Sequence, residues 1–305
     1  MSGYTAPRIG IAPDSWGVWH ADHPSQPSPQ QYLREVHETG YRWTEIGPWG
    51  YLGTDPQQLK DQFEAHDLLC SGGTVFTGLH RSDDAVDHCW DEVSEIARAI
   101  RFVGAEHLIV LPEMWQRRED GHVQGERAFS SEEWTRFLKN HDELGRRLLE
   151  EHGVKQVFHS HAESQIGTWG EVTRLLEGTD PQYTNLCLDT GHFAYYLGDS
   201  LGLIKEHPER IGYLHIKQVE PNLLADVLKN DISFEKAVSL GIMCDAGDGI
   251  PPFGPILAEA AKTTPDIFAI VEQDLFPLAS VDIPQPIAAA TLQYIKDQGV
   301  EISLR

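Results

Sequence analysis

Short apolar runs recur along the chain, and most are followed by a stretch in which apolar residues return at helical spacing. The runs Arg8–Asp14, Arg42–Ile46, Leu68–Val75, His107–Leu111, Val154–Glu163, Asn185–Asp189, Ile211–Lys217 and Ile267–Asp274 read as strands buried on both faces. Between them the spacing predicts helices over Tyr32–Thr39 and Asp87–Val103, stopped by Gly40 and Gly104, with others at Pro56–His66, Ser131–His152, Gly170–Leu176 and Leu201–His207. Strands alternating with helices, with no linker between halves, predict a parallel (β/α)8 barrel filling 1–305 as a single domain. Two departures from the rhythm stand out. Arg117–Arg127 is polar and irregular, an exposed loop expected near the rim; 218–255 is an insertion placed to cover the mouth.

In such a barrel the chemistry sits where the strands end. Asn185-Leu-Cys-Leu-Asp189 ends in a carboxylate, with Glu163 twenty-six residues before it and His215 twenty-six after it. Glu272 ends the last run. A lone acidic residue at a strand end is more often a helix N-cap, but four potential ligands on successive strands make a metal site the better reading: Glu163, Asp189, His215 and Glu272. Three carboxylates and an imidazole form a hard, oxygen-rich set suited to Mn²⁺, Mg²⁺ or Co²⁺, with zinc second. Side chains alternate along a strand, which places His159 and His161 on the face of Glu163, Lys217 on that of His215, and Glu45 on that of Trp43. Lys217, expected beside a cation and out of water, should have a lowered pKa and serve as a general acid or base. Trp16, Trp49 and Tyr51 are candidates to pack on a sugar ring, with the plain core as the alternative for each.

Charge narrows the partners. The 305 residues carry 47 acidic and 24 basic side chains, a net charge of -23, which disfavours nucleic acid and anionic membranes. The four cysteines lack paired spacing and read as free thiols. No leader or long apolar segment is evident, so a cytoplasmic protein acting on a small neutral molecule is expected, with self-association compatible. Leu68–Val75 contains Ser-Gly-Gly-Thr, but the phosphate-loop pattern is missing.

Five stretches together resemble the inosose dehydratases, within the broad xylose isomerase-like barrel superfamily. They are Gly10-Ile-Ala-Pro-Asp-Ser-Trp-Gly-Val-Trp19, Trp43-Thr-Glu-Ile-Gly-Pro-Trp-Gly-Tyr51, Leu188-Asp-Thr-Gly-His192, His215-Ile-Lys-Gln-Val219 and Val271-Glu-Gln-Asp274. The resemblance implies a divalent metal, Mn²⁺ foremost, on Glu163, Asp189, His215 and Glu272, with His192 touching substrate. It also implies loss of water from a keto-polyol such as 2-keto-myo-inositol, with Lys217 and His192 moving the protons and Glu45, His159 and His161 in the substrate pocket. Elimination from a 3-keto-glycoside, or 3-epimerisation of a ketose with Glu163 and Glu272 as opposed acid/base groups, are the alternatives.

Overall fold

A computed structural model describes residues 5–115, 123 and 125–305; most of the expected rim loop at 117–127 therefore lies outside the described residues. Eight strands close a parallel barrel: β1 (Arg8–Ile11), β2 (Trp43–Glu45), β3 (Leu69–Thr77), β4 (His107–Pro112), β5 (Lys155–His159), β6 (Thr184–Asp189), β7 (Ile211–Ile216) and, after a two-stranded excursion of β8 (Gln218–Val219) and β9 (Met243–Cys244), β10 (Phe268–Val271). The ring runs β1-β10-β7-β6-β5-β4-β3-β2, so the (β/α)8 expectation holds.

Alternation sorts each strand into two sets. Leu108, Val110, Phe158, Leu186, Leu188, Leu214, Ile216, Ala269 and Val271 face the surrounding helices in one large apolar cluster. Ile109, Val157, Cys187, Tyr213, Phe268 and Ile270 fill the lumen in another. The lumen is thus a packed plug, and two residues further along the same strands the side chains emerge at the C-terminal mouth. The pairing is irregular at two points, between Leu186 and Cys187 in β6–β7 and between Thr44 and Glu45 in β2–β3, where the shift pairs Glu45 with Gly72. Such an irregularity re-aims a side chain. A side chain at Gly72 is excluded by the neighbouring strand, since a Cβ there would meet the His107 carbonyl at 2.9 Å.

The excursion between β7 and β10 is built from helices Pro221–Asn230 and Phe234–Ser239 and the β8–β9 pair. Leu224, Val227, Phe234, Ala237, Val238, Ile242 and Met243 form a core with Ala162, Ala194 and Tyr195, which belong to the segments following β5 and β6. The excursion therefore packs against the mouth instead of projecting from it. Among the described residues no helix is long and apolar enough to cross a membrane.

Candidate active site at the C-terminal mouth

Four strands deliver one donor each by the same two-residue step beyond the lumen layer: Val157 to His159, Cys187 to Asp189, Tyr213 to His215 and Ile270 to Glu272. The ligand atoms of His159, Asp189, His215 and Glu272 all lie within 4.8 Å of one another, and all four residues are buried. Asp189 Oδ2 is 3.2 Å from His159 Nε2 and 3.9 Å from His215 Nδ1, and His215 Nδ1 is 3.1 Å from Glu272 Oε2. The other oxygen of Asp189 accepts from the His192 amide at 2.7 Å. The strand-end carboxylate is thus a helix cap through Oδ1 and a donor through Oδ2, both readings at once.

His215 is held from behind. Its Nε2 donates to Glu45 Oε1 at 2.8 Å, across the barrel. The buried Nδ1 has no hydrogen-bond partner and faces the carboxylates of Asp189 and Glu272. This carboxylate–imidazole arrangement is the one that orients metal-bound histidines. Burial alone would lower the His215 pKa, but Cys187, Glu272 and Glu45 raise it well above the ordinary value. Burial would likewise raise Glu272, yet His215 and Lys217 hold it well below the carboxylate range. The cluster draws positive charge to itself, and two imidazoles with two carboxylates fit a divalent transition cation.

Lys217 lies against this set, its Nζ 2.7 Å from Glu272 Oε2 and 3.2 Å from both Asp189 Oδ2 and Asp274 Oδ2. The lowered pKa expected from sequence is that of a lysine beside a cation; the protein's own carboxylates act the other way. Burial does push it down, but Asp189, Asp274 and Glu272 outweigh burial and raise it. Nζ also sits 3.3 Å from His192 Nε2. His192 Nδ1 accepts from the Ala162 amide at 3.2 Å, which leaves Nε2 to carry the proton of the neutral ring. Burial, then His161 and Lys217, lower the His192 pKa well below 6.5.

The sequence-derived candidates divide. Glu45, Trp49, His159, His161, His192, His215, Lys217 and Glu272 all line one cavity of about 380 Å³ at the mouth; Asp189 sits fully buried beneath it. Three do not join them. Tyr51 is buried, its hydroxyl donating to the Pro27 carbonyl at 3.1 Å. Trp16 is wholly buried, its Nε1 donating to Glu35 Oε2 at 2.8 Å and its ring edge-on to Tyr32. Glu163 lies four residues past the end of β5, because the strand stops at His159 and the chain turns. The alternation that aims His159 inward does not extend to it. Its Oε1 instead accepts from the Phe234 amide at 2.6 Å, and burial pushes its carboxyl up to about 7 against the pull of that amide and of Arg127. His159 occupies the place in the donor set that the sequence reading gave to Glu163.

Among the lining residues that the sequence did not single out are Asp14, His20, Glu92 and Asp274. Asp14 and Asp274 both stand just past a strand, inside stretches already notable for their composition, and the strand-end position was the available signal. Burial, then Glu272 and Asp274, raise the Asp14 pKa well above the ordinary value, with Lys217 opposing.

Several known proteins are similar to this chain. An inosose dehydratase from Geobacillus kaustophilus is 30% identical, covering 94% of this chain and 93% of its own length. A rhizopine catabolism protein, MocC, from Rhizobium meliloti is 30% identical over 88% of this chain and 82% of its own. Among solved structures, the IOLI protein with a binding zinc atom superposes with a TM-score of 0.69 at 14% identity, covering 95% of this chain and 97% of that one. The model of the xylose isomerase-like TIM barrel matches residues 33–298. The chain belongs to the xylose isomerase-like TIM-barrel family, among its inosose dehydratase-like members.

Proposed function

We propose that the protein is a metal-dependent lyase that removes water from a keto-cyclitol of the 2-keto-myo-inositol type. The observation that carries this is the pairing of two buried nitrogens able to move protons, Lys217 Nζ and His192 Nε2, beside a ready-made set of four metal donors. Similarity to inosose dehydratases over nearly the whole chain supports the substrate class.

His159, Asp189, His215 and Glu272 would hold the metal. The two-nitrogen, two-oxygen set favours Mn²⁺ or Co²⁺, with zinc next and Mg²⁺ last. When bound, a divalent cation supplies electrostatic stabilisation of the negative charge that develops on substrate oxygens as a proton leaves the neighbouring carbon. The chain's own groups do the rest. Lys217 and His192 share the proton work: Lys217, once deprotonated, takes the proton from the carbon next to the carbonyl as the carbon–carbon double bond forms, and the β C–O bond breaks as His192 Nε2–H protonates the departing hydroxyl. Asp274 holds Lys217 in place, its Oδ2 3.2 Å from Nζ and 3.9 Å from His192 Nε2, and Trp49 and Trp19 give the pocket apolar walls. A cation among Asp189 and Glu272 would neutralise two of the carboxylates that now keep Lys217 protonated, bringing its pKa toward the working range.

The test is direct. The protein loaded with Mn²⁺ and given 2-keto-myo-inositol should yield a product lighter by one water, detected by mass spectrometry and by the ultraviolet absorbance of the new dione. A product of unchanged mass but inverted stereochemistry would overturn the reading in favour of an epimerase. Epimerisation by opposed carboxylates needs Glu163 facing Glu272, and the position of Glu163 gives that scheme no support.

A further inference from the structure

The segment His161–Ala162–Glu163 is a junction. The Ala162 amide donates to His192 Nδ1 at 3.2 Å, and His161 Nδ1 contacts the Ala162 carbonyl at 2.8 Å. One residue on, the Glu163 amide donates to the Tyr196 hydroxyl at 2.9 Å, and the Glu163 carbonyl accepts from the Trp115 amide at 2.8 Å. Glu163 holds φ at +60°, in the left-handed region where side chains other than glycine are uncommon. A strained backbone of this kind persists where surrounding contacts over-determine it and tends to mark function.

The side chain completes the junction. Glu163 Oε1 accepts from the main-chain amide of Phe234 at 2.6 Å, tying the post-β5 segment to the excursion after β7. Phe234 is 2% exposed, and its ring lies 5.1 Å from that of His192, 5.4 Å from that of His161 and 5.6 Å from that of Tyr195. The two imidazoles face one another at 3.8 Å. Phe234 therefore backs a pair of stacked rings whose other sides line the active cavity. Arg127 reaches the same corner, bridging to Asp231 at 3.2 Å.

We propose that Glu163 is a positioning residue: through the Phe234 amide it clamps the excursion against His161 and His192 and so fixes the direction in which His192 presents its Nε2 to the substrate. It acts without binding the metal. The inference rests on the dehydratase reading for the role of His192, but two of its readouts do not involve turnover.

Three variants test it. Glu163→Ala removes the clamp, Glu163→Gln keeps an oxygen acceptor for the Phe234 amide, and Phe234→Leu removes the backing ring while leaving Glu163 in place. Glu163→Ala should bind as much Mn²⁺ as the native protein by elemental analysis, yet lose amide hydrogen-exchange protection at Phe234. Its kcat should fall roughly tenfold, the usual scale for losing a supporting contact, with KM less affected. Glu163→Gln should restore both protection and kcat, and Phe234→Leu should reproduce the kcat loss with full metal content. Loss of Mn²⁺ in Glu163→Ala and Glu163→Gln alike would overturn the proposal by making Glu163 a ligand. Unchanged exchange at Phe234 in Glu163→Ala would overturn it too. If the native protein dehydrated no keto-cyclitol, the dehydratase reading would fail while metal content and exchange still decided this one.

Discussion

The barrel has a cavity at each end, and the larger one is at the end away from His159, Asp189, His215 and Glu272. The N-terminal cavity measures about 650 Å³ and is bordered by Arg8, His107, Lys155, Gln156, Tyr183 and Phe268; the C-terminal one is about 380 Å³. The difference between them is charge. His107 is half-buried and His215 buried, and burial lowers the pKa of each, yet they end on opposite sides of 6.5. His107 meets Lys155 and Arg8 and is pulled down to about 4; His215 meets Glu272 and Glu45 and is raised. A concave surface becomes a site where buried opposite charges converge, and volume alone does not mark it.

That contrast can be broken experimentally. The largest expected effect is loss of the metal: Asp189→Ala and His215→Ala should abolish Mn²⁺ binding and turnover, and should remove the rise in melting temperature that Mn²⁺ gives the native protein. His107→Gln, at the opposite end, should keep all three. Elemental analysis beside thermal melts with and without Mn²⁺ reads this out, and equal losses in His107→Gln would erase the distinction between the two ends.

Next comes Lys217→Met, which keeps the stem and removes the charge. A fall of about 10²–10⁴-fold in kcat with metal content preserved is expected for a proton-transfer group. Metal loss without a fall in kcat per loaded site would make Lys217 an ion-pair partner only. A smaller change is expected for Glu45→Gln. The His215 ring keeps a partner but loses the carboxylate behind it, and Mn²⁺ affinity measured by competition with a chelator should drop by roughly 10–100-fold. An unchanged affinity would mean that the contact across the barrel does not orient the ring.

The smallest effect belongs to the core. His141 is packed between Phe137 and Phe158, with ring centroids 4.4 and 5.0 Å away, and burial pulls it down to about 3 from an ordinary 6.5. A depressed imidazole contributes its full stability above 6.5. As pH falls from there toward 3, the unfolded chain takes up a proton that the folded one resists, and the contribution is lost. Melting temperatures taken from about pH 7 down to about pH 4 should therefore decline less steeply in His141→Leu than in the native protein; parallel curves would refute this.

Much of this was legible before any coordinates. Apolar runs and helix stops located all eight barrel strands, and strand ends located Asp189, His215 and Glu272, because lumen-facing alternation is a property of the strand alone. Lys217 followed from the same rule one step beyond His215. Glu163 did not, since the rule holds only as far as the strand does, and nothing in Phe-His-Ser-His-Ala-Glu tells where β5 stops hydrogen-bonding to β6. His159 was placed on the right face but assigned to substrate, as two histidines at the required spacing compete for one role. Trp16 looked like a sugar platform and is core: its partner Glu35 comes from a helix nineteen residues on, a contact that a linear pattern does not contain. The direction of the Lys217 shift depended on Asp274 and Glu272, separated from it by more than fifty residues.

The irregular pairing at Thr44 and Glu45 ties the site to the way the barrel is assembled. All four residues of the cluster, His159, Asp189, His215 and Glu272, fall on strands that neighbour one another or just past their ends. The carboxylate that steadies His215 comes from β2, 170 residues away and on the opposite wall. A half-barrel carrying β5 to β10 would contain every donor and still leave the His215 ring free to turn. Only closure of the ring brings Glu45 within reach, so this one hydrogen bond joins the four-residue cluster to a strand that enters the barrel 170 residues earlier.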